Sequence, residues 1–252
     1  MARKGKSTAR EPLPPPLPPE TRTVGQLVAE TINLYRHRFW RSLSLGLAPA
    51  AGAVGLTLVP GWWNLVFALT GFALLMTVAY LGGVVIAIHR RPARGPLLVG
   101  ALVGYVVFVP APFLYSLFVL PAVAWLALFG LSVPAALIER TGFQDSLRRG
   151  YRLGRADYVH AAGSLATLVI VAFLTATVLF FLLRGASQVE RTAAAFLSLL
   201  VISPILFLGA ALLYFDQAAR DPTRRSDADV HHADEPHRPG RADAEGEPRP
   251  SA

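Results

Sequence analysis

Two windows of this chain, Ser42 to Ile88 and Pro96 to Ile138, run without a single Asp, Glu, Lys or Arg. Each is about twice the ~20 residues that a helix needs to cross a bilayer. A fold in water would carry charges along such lengths, so lipid is the solvent these windows imply. Composition agrees: 53% of the 252 residues are apolar and 16% charged, and the mean hydropathy is +0.45. Backbone polar groups inside hydrocarbon must be satisfied within their own segment, which selects helices. The expected fold is therefore an all-α integral membrane protein, a six-transmembrane-helix bundle with amphipathic interfacial helices at its N-terminus and in one loop.

The apolar windows divide at prolines and charges. Spans are expected at about 42–59, 62–89, 96–118, 119–138, 158–183 and 192–215, with Pro60 and Gly61 making a tight first turn. The window from Pro96 suits two helices, broken around Leu117 to Pro121, because proline lacks an N–H and clashes with a helical turn before it. Pro110, Pro112 and Pro204 are expected to kink their spans. Basic residues test the division independently. Of the 24 Lys and Arg, 22 fall on the side that holds both termini, and only Arg184 and Arg191 fall on the other. Cytoplasmic loops carry the excess of Lys and Arg, so both termini are expected in the cytoplasm of a plasma-membrane protein. Merging spans three and four would move the Arg-rich fourth connection outside; a re-entrant hairpin at that place is the alternative that stays open.

Residues 1–22 hold basic residues and a proline run, and 218–252 alternate charge with Pro, Gly and Ala; both are expected to be disordered flanks of a membrane domain at 23–217. His231, His232 and His237 in the tail read as hydrophilic rather than metal-binding. The leader shows no small-residue cleavage site. No cysteine is present, which removes disulfides, thiolate metal sites and thiol nucleophiles. The formal charge of +8 serves orientation in a membrane, and no nucleic-acid partner is expected.

Between leader and first span, Val24, Leu27, Val28, Thr31, Ile32, Leu34, Tyr35 and Phe39 share one helical face. Thr23 with Gln26 offers a capping box, and the segment is expected to lie along the inner surface. Its interfacial anchors are Tyr35, Phe39 and Trp40, with Trp62 and Trp63 marking a second interface. The loop from Glu139 to Asp157 has the same character: Phe143, Leu147, Gly150, Tyr151 and Gly154 share a face, Arg148, Arg152 and Arg155 lie opposite, and Arg149 flanks them. These four arginines are the candidate contact for anionic headgroups on the cytoplasmic side, or for an unidentified protein partner.

The spans hold no ionisable residue at bilayer depth, which argues against a proton relay. No metal-ligand cluster or nucleophile elbow accompanies them, so no catalytic residue, metal or cofactor is assigned. Ser132, Ser164 and Thr175 are expected to bond back to helix carbonyls or across helices. Gly100 and Gly104 form a Gly-x-x-x-Gly pair that would admit a close helix neighbour.

Three stretches, TVGQLVAETINLYRHRFW, LPAVAWLALFGLSVPAALIERTGFQDSLRRGYRLGRADY and LLYFDQAARDP, resemble bacterial multi-pass proteins similar to the membrane domain attached to some glycerophosphoryl diester phosphodiesterases. The resemblance covers about Thr23 to Pro222. It implies six spans and a cytoplasmic basic helix, and no activity, because the phosphodiesterase chemistry belongs to a separate soluble barrel that this chain does not encode. The expected function is a non-enzymatic scaffold or partner-positioning membrane module; the alternative is a component of lipid or small-solute transport.

Overall fold

The computed structural model describes residues 23–89, 92–182, 184–185 and 187–221. The expected leader at 1–22 and the tail from residue 222 on, with His231, His232 and His237, lie outside them. Among the described residues every element is helical. Five stretches are long and apolar enough to cross a membrane: Trp62–Ile88, Arg94–Leu117, Val119–Ile138, Tyr158–Thr175 and Val189–Arg220. They match the expected second to sixth spans.

Helix α1 (Val24–His37) begins with the expected capping box: the Thr23 amide donates to Gln26 Oε1 at 2.8 Å and the Gln26 amide to Thr23 Oγ1 at 3.4 Å. The helix stops at Arg38, and α2 (Phe39–Leu45) and α3 (Leu47–Leu58) follow, separated at Gly46. The expected first span is thus divided. Pro49 cannot donate to the Leu45 carbonyl and its ring disfavours a continuous turn there. Asn64 Nδ2 donates to the Leu56 and Val59 carbonyls and stitches the turn after α3.

The first of the five membrane-long stretches consists of α4 (Trp62–Phe67), a π-helical turn at Ala68–Phe72 and α5 (Ala73–Ile88). The second and third hold α6 (Arg94–Phe108), α7 (Ala111–Leu117), α8 (Val119–Phe129) and α9 (Ser132–Ile138). The break between α7 and α8 falls at Phe118, in extended conformation with φ −177° and ψ 160°, two helical positions ahead of Pro121. At two other breaks, a side chain from elsewhere supplies a donor to a carbonyl. Trp125 Nε1 donates to the Val107 carbonyl at 2.9 Å, where α6 is ending. The Tyr80 hydroxyl donates to the Gly130 carbonyl at 3.0 Å.

Helices α10 (Phe143–Ala156), α11 (Tyr158–Leu182) and α12 (Gln188–Arg220) complete the chain. Ser187 and Glu190 cap α12: the carboxylate accepts the Ser187 amide at 2.7 Å and its hydroxyl at 2.9 Å. This is the Ser-x-x-Glu signature of a helix start. At its other end α12 runs three residues past the expected boundary of the membrane domain, to Arg220, immediately before Asp221 and Pro222.

Helix α12 is the centre of the bundle, packed against α1, α2, α3, α5, α10 and α11. The largest apolar cluster gathers Met76, Tyr80, Val84, Val103, Val107, Val133, Leu137 and Phe207 from α5, α6, α9 and α12. Gly100 and Gly104 seat α6 against its neighbours. A Cβ at Gly104 would lie 2.7 Å from Thr77 Cγ2, and one at Gly100 would lie 3.1 Å from Leu81 Cδ2 and 3.3 Å from Leu137 Cγ. The Gly-x-x-x-Gly pair therefore serves packing within the chain.

Candidate functional site

The candidate site is built around α10, the basic helix between the third and fourth membrane-long stretches. Asp145 stands in its first turn and Arg155 in its last, each favourable with the helix dipole. The expected apolar face is buried, but against protein. Helix α10 packs on α8, α9, α6 and α12, and Ser146, Gly150, Leu153 and Gly154 are buried. Contact is backbone to backbone. A Cβ at Gly150 would lie 2.5 Å from the Ser132 nitrogen, and one at Gly154 would lie 2.5 Å from the Ala127 carbonyl oxygen. Real Cβ atoms do not approach so closely, so only glycine lets the two helices cross here. Tyr151, at the edge of the face, stacks on Phe129 with ring centroids 5.6 Å apart.

The four candidate arginines separate. Arg148, Arg152 and Arg155 are exposed on the outer face. Arg149 turns inward, and its Nε donates to the two carboxylate oxygens of Glu139 at 2.8 and 3.1 Å. Its side chain is 14% exposed and that of Glu139 29%. The same carboxylate accepts the hydroxyl of buried Tyr214 at 2.7 Å. One acidic side chain at the end of α9 therefore holds α10 and α12 together. Arg140, directly after it, adopts a left-handed conformation with φ 55° and ends the helix.

A second polar knot lies at the start of α11. Asp157 Oδ1 accepts the amide of His160 at 3.1 Å, and Oδ2 accepts Arg220 Nη1 at 2.7 Å. Gln217 Nε2 donates to the Asp157 carbonyl at 3.3 Å. Asp216 and Gln217 are fully buried. The expected tail begins at residue 218, two residues after Asp216; the structure continues the helix, with Gln217 and Arg220 on the turn that meets Asp157. Good helix formers in DQAAR, followed by proline, are the signal that would have extended α12.

The expected interfacial anchors also separate. Phe39, Trp40, Trp62 and Trp63 are exposed, Trp40 at 79%. The Trp62 and Trp63 rings lie 4.3 Å apart, and Phe39 meets Trp40 edge to face at 5.4 Å. Tyr35 is buried in a cluster with Leu45, Ile86 and Leu208, and burial raises the pKa of its hydroxyl. It lies on the stripe Leu27, Thr31 and Tyr35 by which α1 packs on α12 and α11. Thr175 bonds back to the Val171 carbonyl at 2.8 Å as expected. Ser132 and Ser164 do not: both hydroxyls are buried without a hydrogen-bond partner among the described residues. Ser132 opens α9 and faces Gly150 of α10, where the two helices cross. Among the described residues no cluster of three or more His, Asp or Glu side chains could hold a metal ion. No protein-family model, no curated protein and no solved structure matches the chain.

Proposed function

We propose that the protein is a non-enzymatic module of the plasma membrane that positions an acidic protein partner on the arginine face of α10. The observation that carries this reading is the contrast between the two faces of that helix. One is locked by Gly150, Gly154 and the Arg149–Glu139–Tyr214 bonds, so Arg148, Arg152 and Arg155 project from a fixed platform. Arginine suits such a role because its planar fork meets carboxylates in a defined geometry.

In this reading the chain crosses six times with both termini in the cytoplasm, and α2 and α3 make the first crossing. Phe39 to Leu58 is 20 residues, or about 30 Å of helix at ~1.5 Å per residue. Gly46 itself keeps helical angles, φ −70° and ψ −18°, so the break there is compatible with one bent span. Leu47 and Leu58 are exposed on it, as residues facing lipid would be.

The test is gentle purification of tagged protein from its own membrane, followed by mass spectrometry of what stays bound. A stoichiometric protein recovered with the native chain and lost when Arg148, Arg152 and Arg155 are changed to Gln supports the reading. Retention of all bound proteins by that variant, or recovery of anionic lipid alone, would sink it.

A further inference from the structure

A cavity of about 490 Å³ lies between α3, α5, α8, α11 and α12. Its volume falls within the range of about 300 to 1,000 Å³ found for small-molecule sites. The wall is hydrocarbon: Met76 and Phe207 form part of it on one side, Leu126, Leu165 and Val169 on another. Three polar side chains line the wall, Tyr80, Tyr115 and Ser203, and two of them donate their hydroxyl protons to helix carbonyls. The Tyr80 hydroxyl donates to the Gly130 carbonyl, and the Ser203 hydroxyl donates to the Leu199 carbonyl. Neither has a proton left to donate to a ligand, and the third, Tyr115, is exposed, so the enclosed part of the wall offers no free hydroxyl donor.

From these observations we infer that the cavity is a binding site for one acyl chain of a membrane phospholipid. The wall selects an apolar, flexible ligand, because twenty lining residues would otherwise lack dispersion partners on one side. Its place selects the source. The cavity lies among the membrane-long helices, and hydrocarbon chains are the apolar species that surround such helices in a bilayer. Access is lateral: α11 from Ile170 onward exposes Ile170, Val171, Phe173 and Leu174, and α7 exposes Phe113 and Tyr115. Tyr115 lies at the cavity wall, so the exposed surface of α7 runs into the site. The inference is independent of the α10 reading, since none of its lining residues belongs to α10.

The full-length protein is reconstituted in vesicles of phosphatidylethanolamine and phosphatidylglycerol that contain a trace of phospholipid with a diazirine at mid-chain. After illumination, adducts are mapped by mass spectrometry. Adducts at Leu165, Val169 or Leu206 should exceed those at Leu98 and Leu102, which are exposed on the outer face of α6. Filling the site with Val169→Trp, or independently with Ala210→Trp, should lower the cavity adducts at least about fivefold by excluded volume. Labelling of Leu98 and Leu102 should persist, as the check that the bundle is intact. Even labelling of cavity and outer face in the native protein, or cavity labelling unchanged in both well-folded variants, would overturn the site.

Discussion

The Tyr80 hydroxyl donates to the carbonyl of Gly130 at 3.0 Å, and that carbonyl is the one left without a helical donor by Pro134, four residues on. A proline-broken stretch in hydrocarbon needs its freed carbonyls bonded from elsewhere, and α5 supplies the donor to the junction of α8 and α9. Tyr80→Phe should therefore destabilise the bundle by about 1–3 kcal/mol, the cost of a buried group left unsatisfied. In a Pro134→Ala background the new backbone N–H can serve Gly130, and the same change should cost less. Unfolding of the four proteins of this cycle in one detergent gives the coupling; equal costs in both backgrounds would remove the relationship.

The crossing of α10 over α8 and α9 depends on two missing side chains. Gly150→Leu or Gly154→Leu should each lower stability by about 1–3 kcal/mol or more, because a side chain there meets rigid backbone. Gly163→Leu should be tolerated, since nothing lies within 4 Å of a Cβ at that position. Thermal unfolding in detergent compares the three, and equal behaviour would contradict the close crossing.

Arg149 and Arg148 are neighbours in sequence with opposite roles. Arg149→Gln breaks the contact with Glu139 and should destabilise by about 1–3 kcal/mol, the range for a charged hydrogen bond that is mostly shielded from water. Arg148→Gln, on the exposed face, should stay within about 0.5 kcal/mol of the native protein. Tyr214→Phe combined with Arg149→Gln should show a non-additive loss, because both partners share the Glu139 carboxylate.

Topology can be read with single cysteines because the chain has none of its own. Pro60→Cys and Gly185→Cys should react with an impermeant thiol reagent in intact cells, and Gln144→Cys only after the membrane is opened. Gln144 is exposed, whereas Ser146, two residues further along α10, is buried and would be silent on either side. Reaction at Gly185 without reaction at Pro60 would mean that α2 and α3 do not cross.

Much of this architecture was legible in the chain before any coordinates. The α7–α8 break follows from Pro121, the start of α1 from Thr23 and Gln26, and the five membrane-long helices from the absence of charge. These are local effects of a missing N–H, a side-chain oxygen at an N-cap, or the cost of charge in lipid. The Ser187–Glu190 cap and the extension of α12 through Gln217 to Arg220 were written in equally local signals. A boundary drawn at the last bulky apolar residue passes them over.

What the chain alone determined is therefore where the five membrane-long helices run, the break before Pro121 and that their solvent is lipid, but not the break at Gly46. Tertiary structure decided which face of each helix meets protein. In water an apolar face marks the core, but in a bilayer lipid is as apolar as the core, and hydropathy does not distinguish the two. For that reason Leu98 and Val103 of α6 look alike in sequence, although one is 71% exposed and the other fully buried. The same degeneracy hid the burial of Tyr35 and the apolar cavity. Helical projection placed Arg149 beside the other loop arginines; only the approach of Glu139 from α9 turned it inward.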